Sequence, residues 1–222
     1  SAAPAEVPAT RPGVLTRIGA LLGVLLVALA YILPGLTGHD PWRPDEPQSF
    51  GIILDMVATG DLVVPTLAGE PSLQHPPGYA ISAAGMVRLF RDWLPLHDAA
   101  RVATGLFLAL TLLFVGLMAR RSWGPGLGGA AVLGVIGTLG LVQHGHSMVP
   151  DIALAAGMAM GCYGLLRARD SVAWGGLWIG TGAGLSFIGK GLLGPGILAL
   201  GALLLLSFSD WRNRNYPRAL AV

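Results

Sequence analysis

The sequence predicts an all-helical membrane protein, a bundle of about six transmembrane helices with amphipathic helices in its first outer loop. Hydrophobic residues make up 53% of the 222 residues and charged residues only 12%, whereas a soluble protein carries about 25% charged residues. The mean hydropathy is +0.65. Long windows without charge recur along the chain, and about 20 apolar residues are enough to cross a bilayer.

The charge-free windows define the predicted spans. They cover residues 18–38, 102–119, 122–150, 152–166, 171–189 and 191–209. The fourth window is short, so Asp151 and Arg167 must lie at the two membrane interfaces if it is to span. Glycines cluster at 124–129 and at 175–184, and small residues there predict close packing between helices.

The spans form one predicted domain at 14–210, because the chain shows neither an internal repeat nor a low-complexity linker. A flexible cytoplasmic tail is predicted at 1–13 from its prolines. The apolar stretch that follows is too long for a cleavable signal peptide. Residues 211–222 are predicted to be a second cytoplasmic tail or the start of a further segment.

The distribution of basic residues predicts the orientation, because cytoplasmic loops are enriched in Lys and Arg. A cytoplasmic N-terminus places most of the 14 basic residues inside. Those inside are Arg11, Arg17, Arg120, Arg121, Arg167, Arg169, Arg212, Arg214 and Arg218, and those outside are Arg43, Arg88, Arg91, Arg101 and Lys190. The sequence pI of about 9.0 therefore reflects membrane topology, and no nucleic-acid partner is predicted.

The first outer loop, predicted at 35–98, is polar and rich in acidic residues. An amphipathic helix is predicted over 48–59, lying along the outer membrane surface. Its apolar residues at helical spacing are Phe50, Ile53, Leu54 and Val57. An extended piece is predicted at 62–67 and a second helix, too short to span, at 78–90. The second span is predicted to begin near Arg101.

Several motifs follow one another along this loop and the later spans. They are the acidic pair Asp45-Glu46, Ala-Thr-Gly-Asp-Leu-Val-Val-Pro at 58–65, His-Pro-Pro-Gly-Tyr at 75–79, Pro150-Asp151, and Gly-Leu-Ser-Phe-Ile-Gly-Lys-Gly at 184–191. Their order and spacing resemble the GT-C class of membrane glycosyltransferases, and within it the lipid A aminoarabinose transferases and the protein O-mannosyltransferases. The similarity covers most of 14–205. Because members of this class are longer, the chain resembles their N-terminal half.

The resemblance implies an enzyme that moves a sugar from a polyprenyl-phosphate donor to an acceptor lipid, glycan or protein. The reaction would take place on the outer face of a bacterial inner membrane. Departure of the lipid phosphate from the sugar builds negative charge, which a cation or a metal ion must stabilise. The acceptor hydroxyl needs a carboxylate that orients it or takes its proton. The implied partners are the lipid-linked sugar, the outer-face acceptor and membrane lipid.

Three carboxylates are the catalytic candidates that the resemblance implies. Asp45 orients or deprotonates the acceptor, and the alternative is a helix cap, because acidic residues are favoured at the positive end of a helix. Glu46 assists Asp45, binds a metal or caps the same helix. Asp151, at the outer end of the fourth span, is a metal ligand or a partner of the acceptor. Its alternative role is that of an interfacial cap.

Three basic side chains are expected to bind the donor phosphate, namely Lys190, His75 and Arg101. Lys190 is the single lysine of the sequence, and Asp45, Asp151 or phospholipid headgroups are its alternative partners. Arg101 has the same alternative, because arginines near a bilayer also bind headgroups. His75 stands where the aminoarabinose transferases have lysine, whereas the protein O-mannosyltransferases resemble this chain in having histidine before Pro-Pro. The alternative role of His75 is loop packing.

The sequence leaves a divalent metal cofactor open. Gln74 stands where some relatives have an acidic metal ligand. His144 and His146 have a spacing that allows a shared metal ion, yet no further ligand lies beside them in the sequence, and a polar interfacial loop is the alternative.

Other functions have less support from motifs. The sequence contains no Walker A loop, no dinucleotide fingerprint, no His-Glu-x-x-His and no Gly-x-Ser-x-Gly. A secondary transporter remains an alternative, because broken helices and charges at membrane depth also build substrate sites. A non-catalytic membrane scaffold is the other, and it predicts that the acidic loop can be neutralised without loss of function.

Overall fold

The computed structural model describes residues 14–42, 45–212 and 215–221 of the chain. Within these ranges the regular secondary structure is helical apart from one hairpin of two-residue strands. The helices are α1 (Val14–Ile32), α2 (Asp45–Thr59), α3 (Gly78–Phe90), α4 (Leu96–Trp123), α5 (Leu127–Ile136), α6 (Leu139–His144), α7 (Asp151–Ala168), α8 (Val172–Lys190), α9 (Leu193–Leu205) and α10 (Asn215–Leu220). The antiparallel strands are β1 (Thr66–Leu67) and β2 (Glu70–Pro71). The predicted tail at 1–13, Arg43 and Arg214 lie outside the described residues.

Residues 35–98, the predicted first outer loop, contain the helices that the sequence predicts. Helix α3 has the predicted bounds, and α2 begins at Asp45, three residues before the predicted start. The hairpin is held against α2, because the Thr66 hydroxyl donates to the Asp55 carboxylate and Leu67 packs against Gly51. Helix α4 begins at Leu96, so Arg101 lies in its second turn and not at its opening.

Helix α4 lies at the centre of the bundle, against α3, α5 and α7. By length and composition it is the one helix within the described ranges that is both long enough and apolar enough to cross a membrane, with 28 residues. Shorter apolar helical stretches lie at Leu22–Gly35, Leu127–Ile136 and Leu193–Leu205. Within its apolar window, 50% of α4 is buried inside the protein.

The window predicted as a third span is divided in the structure into α5 and α6. Thr138 adopts an extended conformation between them, with ψ of 133°, and its hydroxyl donates to the Val135 carbonyl over 2.8 Å. Two causes act together here. Gly134, Gly137 and Gly140 lower the helix propensity of the window, and a threonine side chain competes for backbone carbonyls. Hydropathy alone does not register such a break.

Helices α7 and α8 pack more closely than any other pair in the described part of the chain, and glycines make this approach possible. A Cβ atom at Gly182 would collide with the backbone of Gly157 and Gly161. A Cβ at Gly175 would likewise collide with Ala168. The predicted packing role of the glycines is confirmed at these positions.

Gly182 and Gly180 provide a matched pair for testing this packing. Gly182→Ala is expected to destabilise the protein by about 1–3 kcal/mol, because the new methyl group must push α7 and α8 apart. Gly180→Ala, which meets no atom within 4 Å, is expected to stabilise α8 by up to about 1 kcal/mol through helix propensity. Thermal unfolding of both variants in the same detergent checks the signs. Shifts of equal sign and size would contradict the glycine-mediated contact.

Candidate functional site

A cavity of about 280 Å³ lies where α2, the segment between the hairpin and α3, the start of α7 and the end of α8 meet. Four of the six predicted site residues line it, namely Asp45, His75, Asp151 and Lys190. They come from four separate parts of the chain. The bundle therefore brings together two carboxylates, an imidazole and an ammonium group that are distant in sequence.

Lys190 and Asp151 form an ion pair at one side of the cavity. Lys190 is the last residue of α8, Asp151 is the first residue of α7, and the lysine ammonium donates to Asp151 Oδ1. The side chains are 27% and 56% exposed, so both remain accessible from the cavity. Gly191, with φ of 73°, ends α8 and directs the chain away from the pair. Asp151, one of the alternative partners expected for Lys190, is thus its contact in the structure.

The His-Pro-Pro-Gly segment lies directly against the end of α8. A Cβ atom at Gly78 would sit 2.5 Å from the Ile188 carbonyl oxygen, so only glycine allows α3 to begin this close to α8. A Cβ at Gly191 would lie 3.9 Å from Pro76 Cγ, which places the proline next to the turn that follows Lys190. His75 is exposed at the rim of the cavity.

Asp45 is exposed in the first turn of α2. Gln48, Ser49 and Ile52 line the cavity with it, three, four and seven positions later, so one face of α2 forms a wall. Asp45 therefore stands at the start of a helix and also lines the cavity.

Several neutral polar side chains of the cavity lie outside the predicted set. They are Gln48, Ser49, Ser72, Gln74 and Tyr79. The Tyr79 hydroxyl lies 2.7 Å from the Thr104 hydroxyl, and burial raises the pKa of Tyr79 well above its ordinary value, so the phenol stays neutral. Helical spacing from Asp45 signals Gln48 and Ser49, whereas no local pattern signals Ser72.

Glu46 and Arg101 are not brought to the cavity. Glu46 is 3% exposed and Arg101 is fully buried, and Arg101 Nη2 lies 3.5 Å from Glu46 Oε2. Arg101 Nη1 also donates to Asp98 Oδ1 over 3.2 Å. Direct contact of Glu46 or Arg101 with a substrate in the cavity does not fit this geometry. Asp98 is a further member of the cluster that sequence reasoning missed, although Asp and Arg three positions apart on a helix are a recognisable pair.

The His, Cys, Asp and Glu side chains of the described residues do not form a set of ligands that fits a bound metal ion. Across residues 14–42, 45–212 and 215–221, no three His, Cys, Asp or Glu side chains converge in a geometry that could hold one. His146, one of the two histidines considered as ligands, instead hydrogen-bonds through Nε2 to the Tyr31 carbonyl over 2.9 Å.

Comparison with known proteins places this chain among membrane glycosyltransferases. Residues 74–222 match the dolichyl-phosphate-mannose-protein mannosyltransferase family, and the chain belongs to that family. The predicted resemblance to protein O-mannosyltransferases is thereby confirmed.

The resemblance to aminoarabinose transferases is confirmed by curated relatives. The chain is 32% identical over 204 residues to undecaprenyl phosphate-alpha-4-amino-4-deoxy-L-arabinose arabinosyl transferase 2 of Pseudomonas fluorescens, a match that covers 87% of the chain and 33% of the relative. It is 30% identical over 193 residues to the transferase 2 of Sodalis glossinidius, covering 80% of the chain and 33% of the relative. The chain thus spans about a third of the length of these relatives, less than the half that the resemblance predicts.

Two solved structures share the fold. ArnT from Cupriavidus metallidurans bound to undecaprenyl phosphate has a TM-score of 0.77 at 22% identity, covering 91% of the chain and 39% of ArnT. The apo state of the same protein has a TM-score of 0.73 at 24% identity, covering 93% of the chain and 40% of ArnT. The helical architecture is therefore that of part of ArnT.

Proposed function

We propose that this chain forms the donor site of a membrane glycosyltransferase that moves a sugar from a polyprenyl phosphate to an outer-face acceptor. The observation that carries the proposal is the meeting of Asp45, His75, Asp151 and Lys190 in one cavity. Undecaprenyl phosphate is the proposed carrier, because it appears in the names of the curated relatives and is bound in the structure of ArnT. Undecaprenyl phosphate-linked aminoarabinose is therefore the first donor to test.

The lipid phosphate is proposed to bind at Lys190, with His75 as a second contact at the rim. In the reaction the acceptor oxygen forms a bond to the anomeric carbon of the sugar. The bond from that carbon to the phosphate oxygen breaks, and its electron pair remains on the phosphate. The ammonium group of Lys190 stabilises the charge that develops there, as a cation aimed at a leaving group does in other enzymes.

Asp45 is proposed to take the proton of the acceptor hydroxyl. Its carboxylate is exposed and lines the cavity beside Gln48 and Ser49, which offer hydrogen bonds to sugar hydroxyls. Asp151, beside Lys190, is proposed to orient the acceptor once the donor phosphate has occupied the lysine. Removal of a general base lowers the rate by roughly 10²–10⁴-fold.

The proposed membrane arrangement has six spans, a cytoplasmic N-terminus and the cavity on the outer face of a bacterial inner membrane. Helix α7 supports it, because Asp151 at its start lies in the cavity whereas Arg167 is in its last turn. An ion pair between Arg121 and Asp170 lies at that same end of α7. Basic residues at the end away from the cavity agree with a cytoplasmic location of that end.

Transfer in proteoliposomes by wild type, Asp45→Asn and Asp92→Asn tests the proposed function. Asp92 is the matched control, because its side chain is 82% exposed and lies outside the cavity. With undecaprenyl phosphate-linked sugar and lipid A as acceptor, Asp45→Asn is expected to lose at least about 100-fold in turnover while still binding the donor. Asp92→Asn is expected to match the wild type. Movement of the lipid across the bilayer without any transfer would instead support a transporter.

Asp151→Asn is expected to bind undecaprenyl phosphate more tightly, by about three-fold. The wild-type carboxylate competes with the phosphate for Lys190, and an exposed ion pair of this kind contributes about 0.2–1 kcal/mol. Equilibrium binding in detergent micelles, with Asp61→Asn as the control, measures the change. Weaker binding in Asp151→Asn would show that Asp151 supports the phosphate site and does not compete for it.

A further inference from the structure

A buried network of three charged side chains lies next to the cavity and has no place in the proposed chemistry. Glu46 is 3% exposed, Asp98 is 4% exposed and Arg101 is fully buried. Arg101 lies between the two carboxylates, 3.2 Å from Asp98 Oδ1 and 3.5 Å from Glu46 Oε2. Burying two carboxylates and one guanidinium costs desolvation free energy that apolar residues of the same size would not incur. The network therefore calls for a reason other than stability.

Glu46 connects two segments that border the cavity. Its Oε1 accepts a hydrogen bond from the Met148 amide over 2.9 Å, and its Oε2 accepts one from the Trp42 amide over 2.7 Å. Met148 lies just before the start of α7, where Asp151 stands, and Glu46 directly follows Asp45. One buried carboxylate thus fixes the start of α2 relative to the start of α7.

Arg101 contacts the Glu46 carboxylate from the other side, and Asp98 contacts Arg101. Arg101 Nη1 donates to the His39 carbonyl over 2.6 Å, and Asp98 Oδ2 accepts from the Gly38 amide over 3.2 Å. Both contacts tie the segment before α2 to α4. Arg101 Nε and Nη2 make no hydrogen bond to any described residue, so the charge of the guanidinium, more than its geometry, holds Glu46.

We propose that Glu46, Arg101 and Asp98 are positioning residues that set the distance across the cavity between the start of α7 and the face of α2 that offers hydrogen bonds to the sugar, and so define the sugar subsite of the donor. This inference rests on the proposed function. The phosphate contact at Lys190 is on α8, outside the network. Disturbing the network should therefore weaken recognition of the sugar and leave recognition of the phosphate largely intact.

Glu46→Gln is the most informative variant. Glutamine has one acceptor oxygen in place of two, so either the Met148 or the Trp42 amide must face an NH₂ group. Asp98→Asn perturbs the network from its other end and guards against a folding defect of the first variant. Glu70→Gln, in the exposed hairpin outside the cavity, is the matched control.

Two readouts on the full chain test the inference without requiring turnover. The first is the ratio of dissociation constants for undecaprenyl phosphate and for undecaprenyl phosphate-linked aminoarabinose. The second is hydrogen exchange of the amides at 147–153. In Glu46→Gln and Asp98→Asn, the ratio of the dissociation constant for sugar-free lipid to that for sugar-linked lipid is expected to fall at least ten-fold. The dissociation constant for sugar-free lipid is expected to stay within two-fold of the wild-type value. Exchange at 147–153 is expected to rise at least ten-fold in Glu46→Gln.

The possible outcomes separate the two proposals. If the wild type binds the donor, equal weakening of both lipids in the network variants, or unchanged exchange at 147–153 in Glu46→Gln, would overturn the positioning role alone. A wild-type chain that binds neither lipid would overturn the proposed function and this inference with it. Glu70→Gln is expected to leave the affinity ratio and the exchange rates unchanged.

Discussion

Replacing Lys190 with alanine is expected to weaken the binding of undecaprenyl phosphate by roughly 30-fold, or about 2 kcal/mol. Lys190 is the single lysine of the sequence and lines the cavity with its side chain only 27% exposed. A hydrogen bond to a charged group in such partial burial is worth about 1.5–3 kcal/mol. The Lys190→Ala variant therefore removes the main cation of the proposed phosphate site.

Titration of the purified chain in nanodiscs with undecaprenyl phosphate measures this effect. Arg91→Ala is the matched control, because the Arg91 side chain is 60% exposed and lies outside the cavity. The control is expected to bind within two-fold of wild type. If both variants lose affinity equally, general attraction of the lipid to positive charge explains binding, and the cavity has no specific part in it.

Replacing Arg101 with methionine is expected to destabilise the fold by about 3–5 kcal/mol, because it removes the buried guanidinium that pairs with the buried carboxylates of Glu46 and Asp98. Addition of Glu46→Gln to this variant removes one of the two charges. The second substitution should therefore cost less in the Arg101→Met background than it does alone. A coupling of at least about 1 kcal/mol is expected between the two sites.

Urea or thermal unfolding of the two single variants and the double variant gives this coupling. Arg91→Met, at an exposed site, is expected to change stability by less than about 0.5 kcal/mol. Purely additive effects of Arg101→Met and Glu46→Gln would show that the guanidinium and the carboxylate do not depend on each other. The positioning role proposed for the network would then lose its physical basis.

The segment at 35–98, the predicted first outer loop, is the part of the fold that sequence reasoning predicts best. The bounds of α3 follow from local signals, since Gly78 comes after two prolines and basic residues stand at the helix end. The break between α5 and α6 escapes a hydropathy reading, because apolar residues continue on both sides of Thr138. Local conformational preference decides that break, and it carries no charge signal.

The candidate site divides in a similar way. Motif order in the sequence identifies Asp45, His75, Asp151 and Lys190, and the structure brings these four to one cavity. Glu46 follows Asp45 directly in the sequence, yet it points to the interior. Neighbouring positions on a helix lie about 100° apart, so one of an adjacent acidic pair faces the cavity and the other faces the core.

The identity of the partners of Glu46 could not be predicted from sequence. They are the amide of Trp42, four residues earlier, and two groups from distant parts of the chain, the amide of Met148 and the guanidinium of Arg101. Such long-range contacts depend on how α2, α4 and the segment before α7 pack. Only the packed structure shows that the acidic pair splits into a cavity residue and a buried residue.

Native mass spectrometry of the wild-type chain, extracted gently from a bacterial membrane, tests the central claim most directly. The account predicts an adduct with the mass of a polyprenyl phosphate or its sugar-linked form, retained in Asp45→Asn and weakened in Lys190→Ala. The mass would also identify the sugar. Absence of any such lipid from the wild type, even after the donor is added, would contradict the account and favour a transporter or scaffold function.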